Sequence, residues 1–143
     1  MPEASAPATS GARFFVDAND LAMAKGLAIL RRDVVYPGHT SLPEIGPETP
    51  DSVWIPIVGQ AGLIVLTRDQ RIRRRPIELQ TWRDGELRGF VLTAAGQLGT
   101  WDSVRHLARW WAEVEAIIEE RPDGPWMYSV VSGRAPKELT LDL

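Results

Sequence analysis

The run Leu63-Ile64-Val65-Leu66, closed by Thr67-Arg68-Asp69, constrains this chain more than any other feature. A strand so uniformly apolar has to be buried on both faces, which is the condition of a parallel sheet covered by helices. Arg13-Phe14-Phe15-Val16 has the same character and stops at Asp17. From Asn19 to Arg32, Leu21, Met23, Ala24, Leu27, Ala28 and Leu30 recur near helical spacing, with Asn19 or Asp20 able to cap. Val34-Val35-Tyr36 is a second short β run ending at the turn-prone Pro37-Gly38, and the Pro- and Gly-rich stretch from Thr40 to Pro50 reads as a loop. Pro50 and Asp51 then open a helix carrying Val53, Trp54, Ile57, Val58 and Ala61, with Gly59 and Gly62 marking its end.

Beyond Asp69 the pattern predicts a helix over Ile77 to Arg83, a strand over Gly89 to Leu92, one long amphipathic helix from Trp101 to Glu120 and a last strand from Trp126 to Val131. Strands alternating with helices imply right-handed crossovers and an α/β fold, a mainly parallel sheet with helices on both faces. A length of 143 residues with 44% hydrophobic side chains suits one core, so residues 13–143 are expected to form a single domain. Met1 to Ala12 contains no large apolar side chain after Met1 and is expected to be a disordered tail. No stretch approaches the run of about 20 apolar residues that a membrane span needs. Cysteine is absent, which excludes disulfide scaffolds, cysteine zinc sites and thiol nucleophiles, and a reducing cytoplasmic location is the expectation.

In parallel sheets ligands bind beyond the carboxyl ends of the strands, and Asp17 and Asp69 each follow a predicted strand closely. Two carboxylates meeting there repel unless one is protonated or a cation lies between them. Mg²⁺ fits, because it prefers carboxylate oxygen and water and takes one or two direct carboxylates. Asp51, at the start of its helix, is the third candidate ligand. Taken singly, Asp17 and Asp51 could be helix caps and Asp69 a turn residue. Their joint placement favours a shared metal site.

The net charge of −3 argues against binding nucleic acid by bulk positive charge. Distribution counts for more: Arg68, Arg71, Arg73, Arg74 and Arg75 stand against Asp69 alone, a local charge of +4 beside the acids. Such a patch would hold a nucleic-acid backbone, or would simply be a solvated loop. Trp54, Trp101 and Trp111 align with apolar faces of predicted helices and are expected to pack in the core. Trp82, Trp110 and Trp126 have no evident place. His39 and His106, the two histidines, do not form a zinc or general-base pair.

Phe15-Val16-Asp17-Ala18-Asn19, Pro50-Asp51-Ser52-Val53-Trp54 and Ile64-Val65-Leu66-Thr67-Arg68-Asp69 resemble the PIN-like nucleases, and within them the VapC-type toxin branch of toxin–antitoxin pairs. The continuation Arg71-Ile72-Arg73-Arg74-Arg75-Pro76-Ile77-Glu78 resembles the same branch, so the similarity covers most of Arg13 to Val131. It implies a PIN-like three-layer sandwich and an endoribonuclease that uses Mg²⁺ or Mn²⁺, held by Asp17, Asp51 and Asp69, to activate water against an RNA phosphodiester. These nucleases often carry a fourth acid. Asp20, Glu44, Glu48 and Glu78 are the candidates, with Glu44 favoured because it falls between Asp17 and Asp51. The resemblance also implies a small cognate antitoxin and homodimerisation, with no membrane partner.

Other classes compete. A receiver-type phosphorylation domain requires a lysine after a late strand, whereas Lys25 lies in the first helix and Lys137 lies too near the end. A haloacid-dehalogenase-like phosphatase requires Asp where this chain has Asn19. The strongest rival is a PIN-like fold without activity that binds protein or RNA.

Overall fold

The computed structural model describes residues 11–92 and 99–142. The tail expected over Met1 to Ala12 therefore lies largely outside the described residues; Ala12 itself packs against the core. The chain begins with strand β1 (Phe14–Val16), a 3-10 turn over Ala18–Asp20, helix α1 (Leu21–Leu30) and strand β2 (Val34–Val35). Helix α2 (Asp51–Gln60), strand β3 (Ile64–Thr67) and a second 3-10 turn (Ile72–Arg74) follow. Helix α3 (Pro76–Asp84), strand β4 (Arg88–Val91), helices α4 (Thr100–Arg109) and α5 (Trp111–Glu120) and strands β5 (Trp126–Val131) and β6 (Arg134–Glu138) complete the order.

Among the described residues six strands form one sheet in the order β2-β1-β3-β4-β5-β6. All neighbours are parallel except β5 and β6. Side-chain alternation divides the strand residues between two cores. Phe14, Val16, Ile64, Leu66, Phe90 and Trp126 pack with Met23, Ala24 and Leu27 of α1, Leu107 of α4 and Val114 of α5. Phe15, Val35, Val65, Val91 and Met127 pack on the other face with Trp54, Ile55 and Val58 of α2 and Trp82 of α3. Because both faces are covered, the apolar strands of β1 and β3 are buried throughout, each side chain stabilising the fold by roughly 1.5–3 kcal/mol. The arrangement is a three-layer α/β sandwich.

The sequence expectation needs three corrections. The long helix expected from Trp101 to Glu120 is two helices, broken at Trp110, whose backbone leaves helical geometry (φ −114°, ψ 19°). Its indole Nε1–H donates to the carbonyl of Val131 at 2.7 Å, which ties the break to the end of β5. Trp126–Val131 is not the last strand. Arg134–Glu138 returns antiparallel beside it, exposed except at the half-buried Pro136, the composition of an edge strand rather than of an apolar run. Trp101 is not a core residue but is 72% exposed, whereas Trp82 and Trp126 are fully buried. Among the described residues no helix is long and apolar enough to cross a membrane.

Glycine matters where the chain turns or packs closely. Gly62 (φ +72°) takes the left-handed conformation that lets α2 stop and β3 begin. Gly89 in β4 lies beneath the indole of Trp82: a Cβ there would stand 2.6 Å from the ring.

Candidate metal centre

Chain connections leave β1 in opposite directions across the sheet, through α1 to β2 on one side and from β2 back past β1 to β3 on the other. The reversal point lies between the carboxyl ends of β1 and β3, the crevice where open α/β sheets bind ligands. Val16 is paired with Leu66, so the next residues in register, Asp17 and Thr67, lie side by side at that crevice. The Thr67 hydroxyl donates to Asp17 Oδ2 at 2.7 Å. The same oxygen accepts the backbone N–H of Asp69 at 2.9 Å, so one side chain positions two of the acids.

Asp17 is 5% exposed. Its Oδ2 is satisfied by Thr67, while its Oδ1 is buried with no hydrogen-bond partner among the described residues. Burial is the largest cause raising its pKa to about 7 from the ordinary 3.8; repulsion by Asp51 and Asp69 adds to it, and the hydrogen bonds from Thr67 and the Asn19 backbone oppose it. A buried carboxylate oxygen without a donor, among other carboxylates, is the condition that a hard cation relieves.

Asp51 opens α2 with Pro50 at its N-cap, and Trp54 Nε1–H donates to Asp51 Oδ1 at 2.8 Å. Asp69 Oδ1 accepts the backbone N–H of Arg71 at 3.0 Å, a local turn bond. The remaining oxygens of both acids meet Arg75. Its Nη1 lies 3.2 Å from Asp51 Oδ2 and its Nη2 lies 3.0 Å from Asp69 Oδ2. Nη1 is also 3.5 Å from Glu78 Oε1, one turn along α3. Partial burial works against the Arg75 charge, but Asp69, Asp51 and Glu78 outweigh it and hold the guanidinium above its ordinary pKa.

The fourth acid joined to this network is thus Glu78. Glu44 is exposed on the loop before α2, and among the described residues no hydrogen bond or ion pair joins it to the three aspartates. Glu48 is likewise exposed. Asp20 is buried but faces other partners: its Oδ1 accepts from the Met23 backbone and the Thr100 hydroxyl, and its Oδ2 meets Arg68 at 3.1 Å. Among the described residues no three acidic or histidine side chains are grouped to coordinate one ion, and Arg75 pairs with both Asp51 and Asp69. Asp17, Asp51 and Asp69 share one edge without converging on a point.

The five arginines divide by role. Arg75 is engaged with acids of the site and Arg68 with Asp20 beside it. Arg73 reaches the Thr140 carbonyl at 3.5 Å, while Arg74 is exposed and Arg71, exposed too, lies 3.8 Å from Asp69. His39 accepts the Ser41 backbone N–H in a local turn, and His106 Nδ1 meets the amide and hydroxyl of Ser132, which ties α4 to the end of β5. Thr67 and Arg75 were legible as members of a motif, but their bridging roles depend on register and on a loop path that spacing does not reveal.

The sequence model of the PIN-like domain family matches residues 12–94, which span β1 to the end of β4 and include every acid of the site. No curated protein and no solved structure gives a significant match.

Proposed function

The chain belongs to the PIN-like domain family, and on that ground we propose that it is a metal-dependent endoribonuclease, the toxin of a toxin–antitoxin pair in the VapC-type branch. The observation that carries this reading is Asp17, a buried carboxylate at the switch point of the sheet with one oxygen unpartnered and with Asp51 and Asp69 close enough to raise its pKa. The donor set suits Mg²⁺ or Mn²⁺, with Asp17, Asp51 and Asp69 as the holding residues and Glu78 beside them. Such an ion lowers the pKa of water and stabilises negative charge on phosphate oxygens.

The protein's own groups supply the rest. Thr67 fixes the Asp17 carboxylate and the turn that carries Asp69. The exposed guanidinium groups of Arg71 and Arg74 attract the RNA backbone to this edge. Cognate antitoxin, homodimer and cytoplasmic location belong to the same proposal and follow from the toxin resemblance and the lack of cysteine. A second reading, a PIN-like module that binds RNA or protein without cutting, is favoured by one observation: Arg75 already neutralises Asp51 and Asp69.

Incubating the purified protein with an end-labelled RNA pool, with Mn²⁺ or with EDTA, separates them. The nuclease cuts only with Mn²⁺, and Asp69→Asn abolishes cutting. RNA left whole under both conditions, or equal cutting by Asp69→Asn, refutes the nuclease reading.

A further inference from the structure

The acids of the site are gathered by a cation that the chain itself supplies. Asp51 comes from the start of α2, Asp69 from the loop after β3 and Glu78 from α3, and Arg75 touches a carboxylate oxygen of each. Its position is fixed from the backbone: Arg75 is the N-cap of α3, followed by Pro76 at the first helical position. The guanidinium is thus anchored at the mouth of the site rather than carried there by a free loop. Asp17, the most buried acid of the site, receives none of these bonds, and its Oδ1 has no partner among the described residues.

We propose that Arg75 is a built-in competitor for the divalent ion, holding Asp51 and Asp69 in the metal-free protein and giving them up when the ion binds. This rests on the metal-site reading above. Two facts support it. Asp51 Oδ1 and Asp69 Oδ1 are engaged by Trp54 and by the Arg71 backbone, so Oδ2 of each acid is the oxygen left for an ion, and these are the two atoms Arg75 occupies. A divalent cation placed among the same oxygens would also stand within a few ångströms of a guanidinium that cannot lose its proton, so the two positive groups repel. Asp17 Oδ1 is the buried oxygen without a donor that an ion would satisfy, and the Arg75 contacts are the ones that yield. Glu78 remains to receive the displaced guanidinium, being its i+3 neighbour on α3.

Titration of the full chain with Mn²⁺ by calorimetry, for the intact protein, Arg75→Ala and Arg75→Gln, tests the competition. The expected result is Mn²⁺ binding about five-fold or more tighter in both variants, the yield of removing partly exposed ion pairs that the metal must otherwise break. The metal-free variants should also melt lower than the intact protein and gain more in Tm from saturating Mn²⁺. A readout on the intact protein covers the case in which the variants fold poorly: the Arg75 Nε–H signal in an NMR spectrum should shift on saturation with diamagnetic Mg²⁺. Intact protein that binds Mn²⁺ alongside folded variants that bind no tighter overturns the competitor role and leaves the metal site standing. Variants that bind Mn²⁺ where the intact protein does not uphold it strongly. No binding by any of the three removes the metal site and the competitor together. An unmoved Arg75 signal at saturating Mg²⁺ also overturns it.

Discussion

The Thr67 hydroxyl stands 2.7 Å from Asp17 Oδ2 and also receives the Asp69 backbone N–H, so two acids of neighbouring strands depend on one side chain. Thr67→Val keeps the shape and removes both bonds. A hydrogen bond to a charged group contributes roughly 1.5–3 kcal/mol. The variant is therefore expected to bind Mn²⁺ about ten-fold more weakly or worse, as calorimetry would record. Thr67→Ser should restore most of the affinity.

Asp17 makes the metal-free protein sensitive to pH. Its folded pKa of about 7 lies above the ordinary 3.8, so the folded state holds a proton that the unfolded state has released between those values. Stability is full below the lower value and falls as pH rises through the upper one. Asp17→Asn removes the penalty. Without metal, that variant should be more stable than the intact protein by up to roughly 4 kcal/mol near pH 8 and no more stable near pH 4. Thermal melts at the two pH values check it, and a variant less stable than the intact protein near pH 8 would count against the burial argument.

Gly89 tests the sheet packing independently of the site. A Cβ at this position meets the Trp82 ring at 2.6 and 2.8 Å and the Val65 carbonyl oxygen at 3.1 Å. Trp82 is fully buried between α3 and the sheet and has little room to withdraw. Gly89→Ala is expected to lose roughly 1–3 kcal/mol in denaturant melts. Gly26, inside α1 where a Cβ would have nothing within 4 Å, is the control position that should not.

Arg71 and Arg74 are the exposed members of the basic segment. Substituting both by Ala should weaken RNA binding and flatten its salt dependence, by about 0.7 in the log–log slope for each phosphate of a single strand that is no longer neutralised. Fluorescence anisotropy over a salt series measures the slope. An unchanged slope would assign these side chains to solvent.

The strands of the inner sheet and the three aspartates were legible because an apolar run that needs burial on both faces leaves few alternatives, and because Asp17, Thr67 and Asp69 fall at its exits. The break at Trp110 was not legible: Val104, Leu107, Ala108, Trp111 and Val114 continue the helical period across it, and its tie to the Val131 carbonyl is a contact between elements 21 residues apart. β6 has no apolar signature because an exposed edge strand needs none. Trp101 follows a helical stripe yet faces out, since the stripe does not say which side of α4 is covered. Glu44 was favoured by its order in the chain, whereas Glu78 enters the Arg75 network because Arg75 caps α3 and Glu78 lies three residues further on.

The central claim, that the carboxyl edge between β1 and β3 holds a divalent ion, is tested most directly by titrating Mn²⁺ into the intact protein, Asp17→Asn and Asp69→Asn, each verified as folded by circular dichroism. Saturable binding to the intact protein and its loss in both variants is the predicted result. Intact protein that binds no Mn²⁺, or variants that bind it as tightly as the intact protein does, would contradict the claim.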